Sequence, residues 1–203
     1  MDGLLNDPQV EYVLPDRLAQ PGDVSKVFRV SHQVSEKQTT DIEWTKKAGS
    51  LSLTNNSVVA TGATSSVLNV NGILAADVSV SAVINTSTSP AVGLVARYTG
   101  AGDNGMYYGT IARNAAEYIG RIWKNVNNTW IQIASQTTAS GIGVLRFDVI
   151  GSNLSLWLNN QQVVSVVDTS TTGPGTAGIR FSGVGGIVDS FTASVLLAHV
   201  LCF

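Results

Sequence analysis

The stretch Asn153-Leu154-Ser155-Leu156-Trp157-Leu158 puts three leucines on one side of an extended chain and Asn153, Ser155 and Trp157 on the other. Just before it, Val144-Leu145-Arg146-Phe147-Asp148-Val149 sets Leu145, Phe147 and Val149 against Arg146 and Asp148. A period of two is what a strand with one buried and one wet face requires. The same alternation recurs in Asp77-Val78-Ser79-Val80-Ser81-Ala82-Val83-Ile84. Between such runs lie turn signals: Gly100 to Gly105, Asn127-Asn128, Gly151-Ser152-Asn153, Asn159-Asn160, Gly173-Pro174-Gly175 and Gly183-Val184-Gly185-Gly186. Gly and Asn tolerate the positive φ of tight hairpins. The spacing predicts roughly a dozen strands in a sandwich or barrel, with no helical period longer than a turn or two.

Composition agrees with a packed β body. The 203 residues are 44% hydrophobic and only 13% charged, with a net charge of −2. Globular domains average about 25% charged residues. So low a load excludes a polyelectrolyte and the clustered Lys and Arg of electrostatic nucleic-acid binding. It equally disfavours disorder, which goes with low hydrophobicity and high charge. The one cysteine, Cys202, makes neither an internal disulfide nor a zinc site. The longest apolar run, Val195 to Phe203, is interrupted by His199 and falls well short of the ~20 residues that span a bilayer.

The charge is unevenly spread. Residues 1–47 hold 14 of the 26 charged side chains, and Pro8, Pro15 and Pro21 also fall there. Proline fixes φ and removes a donor, so residues 1–24 are expected to form an irregular or extended arm and residues 25–203 the body. The start, Met1-Asp2-Gly3-Leu4-Leu5-Asn6-Asp7-Pro8, has neither the basic region nor the apolar core of a secretory leader. A body rich in Ser, Thr, Asn and Gly that starts without such a leader suits either a protein whose leader has been replaced by Met1 or one that reaches the outside by particle assembly. A virion or extracellular surface location is the expectation.

Val92-Gly93-Leu94-Val95-Ala96-Arg97-Tyr98 followed by Asp103-Asn104-Gly105-Met106-Tyr107-Tyr108-Gly109 resembles the "GLVARY…DNGYY" hairpin of concanavalin A-like lectin/glucanase (LamG-like) domains. The 145–149 and 154–159 runs resemble their paired "LRFDV…L-L-LNG" strands, and residues 178–182 and 188–194 their closing strands. The likeness covers about residues 44–194. It implies an all-β, two-sheet antiparallel jelly-roll sandwich, a fold that hosts hydrolases, lyases, lectins and inert assembly modules alike.

Catalytic chemistry is poorly supported. Glycoside hydrolysis needs two carboxylates roughly 5–9 Å apart, and the Glu-x-Asp-x-x-Glu strand of the glucanase members is missing. Glu117 is the one glutamate after residue 47; Asp148 and Asp189 lie on separate strands. A hydroxyl nucleophile needs a base, but His32 and His199 sit near opposite ends of the chain. Asp103, Asn104 and the carbonyls of their glycine loop offer oxygen ligands for Ca²⁺, although turn formation explains the same residues; no other cofactor is expected. Gly100-Ala101-Gly102-Asp103-Asn104-Gly105 matches G-x-G-x-x-G, yet a strand-like run follows where the dinucleotide motif needs a helix. It reads as a hairpin loop.

Aromatic and arginine residues carry the remaining signal. Trp157 and Trp130 are expected to point away from the core. With Tyr108, Arg97 and Arg146 they suit a glycan-binding face, a protein interface, or burial under a second layer. The leading expectation is a non-enzymatic module of a virion surface, a decoration or minor structural protein. It would dock on other subunits, as a homo-oligomer, through the arm that carries Pro8, Tyr12, Pro15 and Pro21. The alternative is a carbohydrate-binding module that uses the five aromatic and arginine residues on one sheet. A hydrolase or lyase ranks last, and neither nucleic acid nor membrane is expected as a partner.

Overall fold

The computed structural model describes residues 10–13, 31–32, 43–55, 57–115 and 117–196. Pro8, Pro15, Pro21, His199 and Cys202 lie outside them. Sixteen strands and no helix occur among the described residues. In chain order they are β1 (Val10–Val13), β2 (Ser31–His32), β3 (Trp44–Ala48), β4 (Leu51–Thr54), β5 (Ser57–Ala60), β6 (Ser65–Val70), β7 (Val78–Asn85) and β8 (Ala91–Tyr98). They continue as β9 (Met106–Asn114), β10 (Glu117–Val126), β11 (Thr129–Thr138), β12 (Ile142–Ile150), β13 (Asn153–Leu158), β14 (Gln161–Val167), β15 (Thr176–Ser182) and β16 (Ile187–Val195). The count exceeds the expected dozen because short strands such as β1, β2, β4 and β5 carry too little alternation to stand out.

Two antiparallel sheets face each other. One runs β11-β10-β9-β8-β15-β6-β3. The other runs β14-β13-β12-β7-β16-β1-β2, with β5 on β16 and β4 on β5. Tyr12 of the arm lies in β1, opposite His32, and β1 pairs through Val10 and Glu11 with β16 of the same chain.

The alternating runs behave as their period requires. Leu145, Phe147 and Val149 lie opposite Leu158, Leu156 and Leu154, and all six are buried. From the other sheet Leu68, Leu94, Tyr107, Ile111, Ile179 and Phe181 meet them in one core. Trp44 closes that core against Phe191, ring centroids 4.7 Å apart at 72°, an edge-to-face packing of the favourable kind. Asn127 and Asn128 turn β10 into β11 with φ of 50° and 62°, and Asn159 and Asn160 turn β13 into β14 with 51° and 63°. Two successive positive φ values are the mark of a type I′ hairpin.

Candidate functional site

Strands β8 and β9 lie in the middle of the seven-stranded sheet and are buried on both faces up to their last residues. The core covers the inner face. A second apolar cluster covers the outer one: Val67, Val95, Tyr98, Met106 and Tyr108, with Trp123 and Trp130 packed on it. Register explains the grouping. Tyr108 is opposite both Val95 and Trp123, and Trp130 is opposite Asn125, which pairs with Met106. A shift between Ile122 and Trp123 resets the β10–β11 pairing.

Arg180 of β15 holds this layer together. Its guanidinium lies 4.9 Å from the Tyr108 ring centre and 4.4 Å from that of Trp130. Nε and Nη2 donate to the two carboxylate oxygens of Asp103 at 2.6 and 2.7 Å, and further donors reach Ser182 and Ser65, each at 2.7 Å. Burial pulls the guanidinium's pKa down, but the Asp103 bonds more than offset it, so the group stays charged. Burial likewise pushes the Tyr108 hydroxyl up, keeping it a neutral donor to the Arg180 carbonyl at 3.3 Å. Asp103 sits in the glycine loop, which therefore folds back over the sheet. Tyr98 donates to its Gly102 carbonyl at 3.1 Å, and the loop joins β8 to β9 as the hairpin connection expected.

Beside this layer a groove of about 290 Å³ opens on the outer face, lined by Tyr108, Thr110, Arg113, Arg121, Trp123 and Ser182 among others. Arg121 and Trp123 alternate with the buried Ile122 on β10, and Arg121 lies opposite Thr110. Arg113 donates to the Ser87 and Ala115 carbonyls. Arg121 has no hydrogen-bond or ion-pair partner among the described residues.

The five residues singled out in the sequence do not share a face. Tyr108 and Trp130 lie on the outer face of the seven-stranded sheet. Trp157 and Arg146 lie opposite each other on the outer face of the other sheet. There the guanidinium stacks 4.6 Å from the Trp157 ring, and Arg146 Nε donates to Asp148 at 3.2 Å. Arg97 is on neither face: it is 1% exposed and has φ of 50°. It donates to the carbonyls of Ala76, Thr171 and Gly151, each at 2.6 Å, and pins three loops at one end of the sandwich. A single binding sheet built from all five is thus corrected to two separate faces and one buried tie. Trp123, Arg121, Arg113 and Arg180 were missed, although Arg121-Ile122-Trp123 carries the same alternation that exposed Trp157.

Asp148 and Asp189 do not come together. Asp148 accepts from Ser79 at 2.6 Å, and Asp189 from Ser57 at 3.4 Å. They stand opposite Ser79 and Val83 of β7, four residues apart along that strand, or roughly 13 Å at the usual rise per residue. The oxygens suggested as Ca²⁺ ligands already have protein partners. Both Asp103 oxygens serve Arg180, and Asn104 Oδ1 accepts from the Asn128 amide at 2.9 Å. Among the described residues no group of three or more His, Cys, Asp or Glu converges, and no helix is long and apolar enough to cross a membrane.

Two sheets with this order, one outer face partly filled and partly grooved, define a concanavalin A-like jelly-roll sandwich. Solved structures place the chain among such folds. The carbohydrate-binding module CBM66 from Bacillus subtilis matches at 16% identity with a TM-score of 0.65, over 74% of this chain and 94% of that one. The exoplasmic/lumenal domain of VIP36, solved with Ca²⁺ and mannose, matches at 12% and 0.55, over 81% and 87%. A prokaryotic β-1,3-1,4-glucanase (lichenase) from a mouse hindgut metagenome matches at 10% and 0.50, over 76% and 93%. No protein-family model matches the chain, and no curated protein sequence matches it significantly.

Proposed function

We propose that this chain is a carbohydrate-binding module that holds its glycan in the groove beside Trp123, without catalysis. The observation that carries the reading is the meeting, in one outward groove, of a half-buried indole with the Arg121 guanidinium, which is unpartnered among the described residues. A sugar ring offers a flat patch of C–H groups to an aromatic face and hydroxyls to donors beside it. The groove's volume is near the lower end of the roughly 300–1,000 Å³ of small-ligand sites. The similar solved structures support the same choice, since they include a carbohydrate-binding module and a mannose-bound domain.

The particle-assembly reading, with a homo-oligomer at a virion surface, has less behind it. It rests on residues 1–24, whose one described strand pairs with its own chain. A glycan array probed with the wild type and Trp123→Ala decides between the two. Binding that falls about ten-fold or more in the variant, or about 1.4 kcal/mol, is expected. A wild type that binds no glycan on a broad array, and that assembles into oligomers through its arm, would overturn the reading.

A further inference from the structure

Six cationic side chains occur from residue 48 onward: Arg97, Arg113, Arg121, Lys124, Arg146 and Arg180. Four are ion-paired, to Asp77, Asp168, Asp148 and Asp103. The other two, Arg113 and Arg121, have no carboxylate partner among the described residues, and these are the two that line the groove. No Asp or Glu lines it. A second hollow of about 400 Å³ adjoins it, sharing Pro90 and Arg113, and is also free of carboxylates. Glu117 is on the Arg121 side of β10 but four residues away, roughly 13 Å along the strand, and lines a different hollow. Acidic and basic groups are equal in number from residue 48 onward, and the two cations left without a carboxylate partner among the described residues lie in one place.

We infer that the groove takes a glycan bearing an anionic group, and that Arg121, flanked by Arg113, receives it; this rests on the glycan-binding reading of the same groove. A guanidinium presents a planar fork of donors that matches a carboxylate or sulfate with two parallel hydrogen bonds. Arg121 has that fork free. Arg113 spends Nε and Nη1 on the Ala115 and Ser87 carbonyls, which leaves Nη2 and the positive field. Trp123, next but one to Arg121 on the same face, then takes the ring of that sugar, and the adjoining hollow leaves room for a neighbouring unit.

The test measures binding of three probes by titration calorimetry: an oligogalacturonate, its fully methyl-esterified form, and a sulfated carrageenan oligosaccharide. Each is run on the wild type, Arg121→Gln and Trp123→Ala, alongside a broad glycan array. The expected result is about ten-fold tighter binding of an acidic probe than of the methyl ester. That preference should vanish in Arg121→Gln and weaken with added salt. Which acidic probe binds tells carboxylate from sulfate. Arg121→Gln should unfold at the wild-type midpoint, since the side chain has no hydrogen-bond or ion-pair partner among the described residues. Equal affinity for the acid and its ester, an acidic preference that survives Arg121→Gln, or an array whose hits are all neutral overturns the inference while leaving glycan binding intact. Loss of every hit on the array removes the glycan-binding reading as well.

Discussion

The two outer faces of the sandwich carry the same kinds of side chain and use them differently. On the nine-stranded sheet, Trp157, Arg146, Asp148 and Ser79 form a closed set: the arginine stacks on the indole and reaches the carboxylate, which also accepts from the serine. On the seven-stranded sheet, Arg180 and Asp103 close a similar set under the glycine loop, but Trp123 and Arg121 stand just outside it. A tryptophan beside an arginine is therefore not a binding signal by itself. What separates the faces is whether the donors have already been used.

The largest expected effect comes from breaking the buried set. Arg180→Ala strands Asp103 beneath the loop and removes the cation between Tyr108 and Trp130. Loss of about 3 kcal/mol or more is expected from denaturant unfolding, as for other broken buried pairs. Next comes binding. Trp123→Ala should weaken the glycan about ten-fold or more, whereas Trp157→Ala should leave the affinity within about two-fold; a Trp157 variant as impaired as the Trp123 one would mean the faces were assigned the wrong way round.

The acid limb offers a third comparison, at the sandwich end. Burial pushes the Asp168 carboxyl up, but bonds from Lys124, Ser170 and Tyr107 outweigh this and hold it well below the usual carboxylate range. A depressed native pKa means that the native state gives up the proton more readily than the unfolded chain. Its stabilisation is complete above the unfolded value of about 3.9 and is lost as pH falls below it. Asp168→Asn should be less stable at neutral pH and show a flatter decline in acid, measured as unfolding midpoint against pH.

Smaller effects belong to the closed set on the nine-stranded sheet. Arg146→Ala should cost about 1 kcal/mol at most, the worth of a half-exposed ion pair with a stacked ring. Trp157→Phe should be nearly neutral, because it removes an indole Nε1 that is buried without a hydrogen-bond partner.

These comparisons also explain what could be read before the structure. Alternation within one strand is local, so the inward set Leu154, Leu156 and Leu158 and the outward Trp157 were legible, as were the two Asn-Asn turns. Sheet membership is not local. Nothing in the residues tells that β13 and β9 belong to opposite sheets, so Trp157 and Tyr108 looked like neighbours. Arg97 was misjudged for a related reason: a charged side chain near a strand end is ordinarily solvated, but here it lies buried among carbonyls that come from three distant loops. Arg121 and Trp123 had a readable signal in their alternation with Ile122. Their value comes from the unused guanidinium, which only a full set of pairings reveals.

The far edge of β16 is shared: β5 covers Ile187 and Val188, and β1 covers Ser194 and Val195. A chain shortened beyond Val13 would leave the last rungs of that ladder bare, with backbone amides and carbonyls turned to solvent. Such a row is a template for the matching strand of another molecule, so the truncated protein should exchange partners and form domain-swapped or aggregated species at high concentration, and added peptide spanning residues 10–13 should suppress them.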